Sequence, residues 1–296
     1  FQILTIGEAG ERMVNFACIS HDFGRQAGRT GIGAVLGSKN IKAIAVRGTQ
    51  DIPVFDPKGL LKKGTATYAA CRENPGFTGW TPEGTAGITN WCNDVGALPT
   101  RNFATSHCDY ADKINGKAIL DELKITDKGC FSCPIPCGKY GLAKTRLGSK
   151  YVEGPEYETL ALVGSNCELA DIHAVAHVNW VCDELGLDTC SGGAVVSFAL
   201  ECYEKGLISK EQMGMDVKWG DLDSIVHILE KIAKREGIGD VLADGVRKAA
   251  EKIGGDSSKF AIHVKGLEWT GYESRNAPGM MLGYMTADVG AHHSRC

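Results

Sequence analysis

No stretch of the 296-residue chain approaches the ~18 consecutive apolar residues of a membrane-spanning helix, so no membrane span is expected. Basic charge is not in excess. Lys and Arg total 32 against 36 Asp and Glu, a net charge of −4, and this lacks the basic footprint of a nucleic-acid-binding surface. There is no internal repeat and no low-complexity tract. The opening Phe1-Gln2-Ile3-Leu4-Thr5-Ile6-Gly7 has neither the basic n-region of a secretory signal nor an initiator Met, and reads as the middle of a strand. At the other end, Cys296 follows His292-His293-Ser294-Arg295 with no stopping signal. Both ends read as cut, and the chain is expected to be an internal fragment.

What is present is an ordinary globular composition, 43% hydrophobic and 23% charged, with 38 glycines. The length suggests about two domains. Twelve cysteines are many, but they are scattered rather than arranged as a disulfide framework. That usage suits a reducing, cytoplasmic compartment with clustered cysteines as ligands. The isolated Cys18, Cys71, Cys182 and Cys202 are expected to be small buried apolar residues.

Residues 1–50 are glycine-rich and β-like, with a strand predicted over Ile41–Arg47. Asp51-Ile-Pro-Val-Phe-Asp-Pro57 reads as a linker, which puts the domain boundary between 50 and 51. The remainder, 51–296, reads as mainly helical. Helices are predicted over 58–74, from Asp171 to Leu185, from about Ser191 to Glu204, and near 221–236 and 238–253. Loops are predicted over 75–108 and around 130–137, a strand over 260–264, and a glycine-rich tail after it. The fold class is α+β, a β-rich part followed by a helical one.

Four constellations could carry chemistry. Cys130, Cys133 and Cys137 have C-x2-C-x3-C spacing, stiffened by Pro134 and Pro136. Thiolates so spaced can ligate the irons of one cluster, although a [4Fe–4S] cluster needs a fourth ligand that does not follow nearby. Zinc, or no metal, remains open. Gly28-Arg29-Thr30-Gly31-Ile-Gly33-Ala-Val-Leu-Gly37, with Arg25 and Lys39, suits an anion approached by backbone N–H groups, or is simply a glycine-rich turn. Asp183-Glu-Leu-Gly186-Leu187-Asp188 joins two predicted helices, either as an ordinary capped connection or as a polar-ring site. Glu156, Glu158 and the pair His292-His293 are acid–base candidates if buried, and solvated surface groups otherwise.

The order GRTGIGAVLGSKN, NDVGALPTRNF, CFSCPIPCGKY, GPEYET, DELGLD and DVGAHHSR resembles the tungsten-containing aldehyde:ferredoxin oxidoreductase family across essentially the whole chain. The resemblance implies the end of a β-sheet pterin-binding domain plus most of a helical domain, with a C-terminal domain missing. It implies that Cys130, Cys133 and Cys137 are three of four [4Fe–4S] ligands, the fourth lying past Cys296. Asp183, Gly186, Leu187 and Asp188 would hold one of two pterins. Arg25, Ala27, Gly28, Arg29 and Gly31 would contact pterin and its phosphate, with Mg2+ bridging phosphates, and Arg295 would be a further basic contact. Glu158 would stand beside substrate, with His293 and its neighbour His292 in proton transfer.

Cys190, directly after the DELGLDT stretch, departs from the aliphatic residue of plain aldehyde oxidoreductases. It is a candidate tungsten ligand, its pKa lowered by the helix N-terminus, as in the benzoyl-CoA-reductase branch. Cys167 is the second candidate. The leading expectation is therefore a tungsten (or molybdenum) bis-pterin, iron–sulfur oxidoreductase that reduces the ring of an aromatic acyl-CoA. The close alternative is aldehyde oxidation with ferredoxin as acceptor. Further alternatives are a non-catalytic iron–sulfur electron-transfer module and a zinc-stabilised binding module. The implied partners are a ferredoxin or ferredoxin-like subunit, within a homo- or hetero-oligomer.

Overall fold

The computed structural model describes residues 1–295; Cys296 lies outside the described residues. The chain is α+β. Four antiparallel strands, β1 (Gln2–Ile6), β2 (Ile19–His21), β3 (Arg25–Ala27) and β4 (Ala43–Val46), form a sheet in the order β3-β2-β1-β4. The β2–β3 hairpin turns through Asp22 and Gly24, both at positive φ. The strand predicted over 41–47 is thus found as the shorter edge strand β4, whose side chains are all exposed.

Pro57 then starts helix Pro57–Glu73 at the first helical position, where its missing N–H costs nothing. The Asp56 side chain caps it by accepting from the Gly59 N–H at 2.9 Å. None of this helix is buried, and Cys71 is only half-buried rather than a core residue. Residues 75–108 are loops punctuated by helices Pro75–Trp80 and Thr89–Asp94.

A second sheet was not anticipated. Strands β5 (Lys124–Lys128), β6 (Gly138–Thr145) and β7 (Gly148–Glu153) pair antiparallel on either side of the cysteine loop. Their charged, glycine-broken sequences hide the alternation. Only in β6 does burial alternate for much of its length, because one face packs on helix Ile172–Leu185.

That helix and the next form the core. Asp171 accepts from the Ala174 N–H at 3.0 Å and starts the first. Gly186, at φ 72°, ends it in the left-handed conformation that glycine adopts most cheaply. The second helix begins at Thr189 rather than near Ser191, because Asp188 is its cap, accepting from Cys190 N and Ser191 N. Val175, Val178, Val195 and Phe198 are fully buried between these helices and helix Leu222–Lys234. Each such side chain contributes about 1.5–3 kcal/mol of burial.

Two further expectations need correction. The helix predicted over 238–253 is broken into Ile238–Leu242 and Val246–Ile253 by Gly245, at φ 85°. Of the strand predicted over 260–264, only His263–Val264 (β8) pairs, with Leu267–Glu268 (β9). The glycine-rich tail also contains helix Pro278–Thr286.

One place where the N-terminal segment meets the helical part is the turn after the first core helix. Backbone of Phe16–Cys18 runs beside the 186–188 turn. Asp188 N donates to Phe16 O at 3.0 Å, Cys18 N donates to Gly186 O at 2.9 Å, and Ala17 bridges Leu187. Close approach demands glycine here. A Cβ on Gly7 would lie 2.3 Å from Leu185 O, and one on Gly186 would lie 2.7 Å from Gly7 N.

Candidate functional site

Glu158 lies on the short helix Tyr157–Thr159, which runs directly into the π-helical segment Leu160–Gly164. Its Oε2 accepts from the Gly271 N–H at 2.6 Å. Tyr157 fastens the same tail segment from the other side, its hydroxyl donating to Gly271 O at 2.5 Å. Oε1 of Glu158 faces His293 Nδ1 at 3.6 Å, and neither atom makes a hydrogen bond. His292 stacks on His293. Burial pushes the Glu158 carboxyl up to about 7, against the pull of Gly271 N–H and Arg29. Burial, then neighbouring positive charge, lowers both His292 and His293. Acid and base are thus drawn toward the same pH range, and Glu158 is not the solvated surface group that its sequence alone allows.

Arg29 is nearly buried. It donates to Ser191 Oγ, to Glu268 O at 2.6 Å and to Ala291 O at 2.7 Å, and stands 3.7 Å from Asp188 Oδ2. It ties the glycine turn of 28–31 both to the second core helix and to the tail bearing the histidines. Asp183 accepts from Gln26 Nε2 at 2.8 Å and from Asn179 Nδ2 at 3.3 Å, and burial pushes its carboxyl up to about 7. Arg25 and Glu153 pair at 3.0 Å, with burial again the cause that pushes Glu153 up to about 7.

Some of these groups wall a cavity of about 230 Å³, lined by Arg25, Gly28, Glu158, Asp183, Leu187 and Asp188, among others. Arg25 Nε, Arg29 Nε, Glu158 Oε1 and His293 Nδ1 are buried without a hydrogen-bond partner. Arg25 and Glu158 line the cavity, and their orphaned polar atoms fit a ligand rich in donors and acceptors, as a pterin is. Ala27 is exposed at the end of β3, Gly31 caps helix Ile32–Ser38 at φ 76°, and Arg295 is exposed beside the tail helix.

The two cysteine candidates part company. Cys190 is buried, its Sγ 3.8 Å from Glu158 Oε2. The expectation of a lowered pKa at the helix N-terminus is overturned. Burial, then the negative Asp188 and Glu158, push the thiol up well above its usual value. Cys167 is fully buried elsewhere and donates to Leu162 O and Gly193 O. The structure does not bring it to Glu158.

Cys130, Cys133 and Cys137 share one loop, with Cys133 N donating to Cys130 O at 3.0 Å. Cys130 and Cys133 are exposed, and Cys137 is half-buried. The donor chemistry, three thiols in one proline-stiffened loop, fits an iron–sulfur cluster. Among the described residues no three His, Cys, Asp or Glu side chains converge on a single-ion site.

Sequence reasoning missed several residues of this region. Gln26, Asn179, Glu153 and Lys139 each have at least one partner distant in sequence: Asp183, Glu153 O, Arg25 and Thr81 O respectively. Gln26 and Asp183, for example, are 157 positions apart.

An α+β chain with a buried carboxyl–imidazole pair near a cavity lined by polar residues has the features of an enzyme active site. A family model described as aldehyde ferredoxin oxidoreductase, domains 2 and 3, matches residues 62–296. The model for the N-terminal domain of the same family matches 1–48. The chain belongs to the aldehyde ferredoxin oxidoreductase family.

Tungsten-containing aldehyde ferredoxin oxidoreductase of Pyrococcus furiosus is 40% identical over 295 residues, 99% of this chain and 48% of that protein. That of Thermococcus kodakarensis is 39% identical over 294 residues, 98% of this chain and 48% of that protein. The aliphatic sulfonate oxidoreductase, WOR-like subunit, of P. furiosus is 32% identical over 278 residues, 90% and 43% of the two chains. Among solved structures, the active-site complex BamBC of benzoyl coenzyme A reductase with 1,5-dienoyl-CoA matches with a TM-score of 0.75 at 25% identity. That match covers 92% of this chain and 42% of the other. The chain spans about half the length of the curated relatives it matches. No helix among the described residues is long and apolar enough to cross a membrane.

Proposed function

We propose that the whole protein is a cytoplasmic tungsten (or molybdenum) bis-pterin oxidoreductase that oxidises an aldehyde to a carboxylic acid. Water supplies the oxygen, and two protons and two electrons are released. Cys130, Cys133 and Cys137 would hold a [4Fe–4S] cluster, which would supply a one-electron path to a ferredoxin-like partner. The observation that carries this reading is the pair Glu158 Oε1 and His293 Nδ1, buried, unpartnered and 3.6 Å apart. It is supported by 40% identity to a tungsten-containing aldehyde ferredoxin oxidoreductase, against 25% to the benzoyl-CoA reductase complex.

In this reading Arg25, Arg29, Gly28, Asp183, Leu187 and Asp188 hold the cofactor. When bound, the metal in its pterins would supply the two-electron acceptor. The chain's own work is proton management. Gly271 N–H fixes Oε2 of Glu158 and leaves Oε1 to take a proton from the attacking water. His293, held neutral near pH 7 by burial, can accept that proton at Nδ1 and pass it outward.

A second reading, ring reduction of an aromatic acyl-CoA within a hetero-oligomer, is favoured by one observation. The Cys190 thiol sits beside Glu158, where it could serve as a metal ligand once deprotonated. Metal analysis of the full-length protein tests both readings, and absence of tungsten and molybdenum would sink them. Turnover of simple aldehydes but not of aromatic acyl-CoA thioesters selects the first; the reverse selects the second.

A further inference from the structure

Lys139 is the second residue after Cys137, and its side chain is only 3% exposed. Buried lysines need partners, because an unpaired ammonium out of water is costly. Here the partners are mostly backbone. Nζ donates to Thr81 O at 2.8 Å, Cys137 O at 3.0 Å, Pro136 O at 3.3 Å and Gly138 O at 3.3 Å. Among the described residues the only carboxylate within ion-pair distance is Asp127, its ladder partner on β5, at 3.2 Å. Asp127 is itself shared with Lys124 at 2.8 Å and is partly open to solvent.

This arrangement collects three segments on one cation. The first is the end of the cysteine loop. The second is the Thr81–Thr85 segment that covers it, where a Cβ on Gly84 would lie 2.4 Å from Cys137 O. The third is the strand pair itself. The Lys139 carbonyl also accepts from Gly154 N at 2.8 Å, at the start of the turn leading to Glu158. Thr85 Oγ1 accepts from Tyr157 N at 2.9 Å and donates to Glu156, closing a loop between the cysteines and the acid–base residue.

We propose that Lys139 is a positioning residue of the electron exit: its ammonium pins the Cys130–Cys137 loop, and its charge raises the reduction potential of the cluster those thiols hold. The inference rests on the cluster assignment made above. A positive charge held in a poorly hydrated site favours the more negative, reduced form of a neighbouring redox group. Asp127 partly offsets that charge, so removing each partner should move the potential in opposite directions.

The test uses the full-length, cofactor-containing protein. Iron and acid-labile sulfide per chain and the cluster midpoint potential, from an EPR-monitored redox titration, are measured for wild type, Lys139→Met, Lys139→Arg and Asp127→Asn. We expect a negative shift in Lys139→Met at wild-type iron content, a potential near wild type in Lys139→Arg, and a positive shift in Asp127→Asn. Should Lys139→Met fail to fold, the Asp127→Asn shift decides: positive supports the inference, zero or negative overturns it. A Lys139→Met protein with wild-type iron and wild-type potential also overturns it. Wild-type protein without iron or sulfide overturns both this inference and the cluster assignment.

Discussion

Glu158 answers to two neighbours at once. Gly271 N–H and the positive Arg29 favour its charged form, while burial opposes it and wins, leaving the carboxyl near 7. If Glu158 is the base, activity rises with pH as it loses its proton around 7. Glu158→Gln should remove that limb and lower kcat about 10²-fold or more, the usual worth of a general base, as read by steady-state rates across pH 5.5–8.5. A variant that keeps the wild-type profile would remove Glu158 from the chemistry. Cys190→Ser separates ligand from bystander. Loss of bound metal at unchanged melting temperature is expected of a ligand, whereas retained metal and activity mark a small buried residue. Glu158, His293 and the 183–188 turn are legible as residues because each sits in a short linear pattern. The pairing of Glu158 with His293 is not, since 135 positions separate them and only the tail through Gly271 brings them together. Nor is the direction of the Cys190 shift legible, because a helix N-terminus lowers a thiol only where burial and two nearby carboxylates do not outweigh it.

At the scale of elements, caps and turns were readable where one side chain settles them. Asp171 and Gly186 mark their helix ends in sequence, and the structure places both there. Asp188 reads as part of a turn but also caps the helix that carries Cys190, so Asp188→Ala should cost about 1 kcal/mol by loss of the cap alone, seen as a lower melting temperature. The 101–103 turn is a feature that no local pattern announces. Arg101, Asn102 and Phe103 all have positive φ, each costing about 1–2 kcal/mol. Asn102 stabilises the turn by donating to Glu201 and Phe260 O and accepting from Ser197 Oγ, while Phe103 packs on Trp269. Asn102→Ala should therefore destabilise by about 2–3 kcal/mol, since it strands buried partners as well as losing bonds. Denaturant unfolding measures this, and a change under about 0.5 kcal/mol, the range of surface substitutions, would contradict it. The sheet β5–β7 escaped the sequence because its strands are charged and glycine-broken, and the reason they pair is the helix packed beneath them.

For the whole molecule, three buried carboxyls sit near 7 in the folded chain: Glu153, Glu158 and Asp183. Each binds a proton in the fold that it would release when unfolded at pH 5–7. Their contribution is therefore fully present below the ordinary carboxylate range and is lost as pH rises toward 7. The lowered histidines His177, His263, His292 and His293 act in the opposite sense over part of the same range. A single variant isolates one term. In cofactor-free protein, Glu153→Gln should gain stability relative to wild type on going from pH 5 to pH 8, on the order of 2–3 kcal/mol, measured by urea unfolding. A constant difference across that range would show that Arg25 fully neutralises Glu153. The two matched ranges, 1–48 and 62–296, flank the exposed 51–56 stretch. Across that stretch the joins include those of the site itself, backbone 16–18 against the 186–188 turn, Arg29 against the tail and Arg25 against Glu153, and also Asn15 N donating to Ala243 O and Arg235 donating to the Arg12 and Met13 carbonyls. The cofactor cavity is in this sense a seam. A protease that nicks the chain at Phe55 should leave two pieces that co-migrate on gel filtration, and cofactor bound in that seam should make them harder to part.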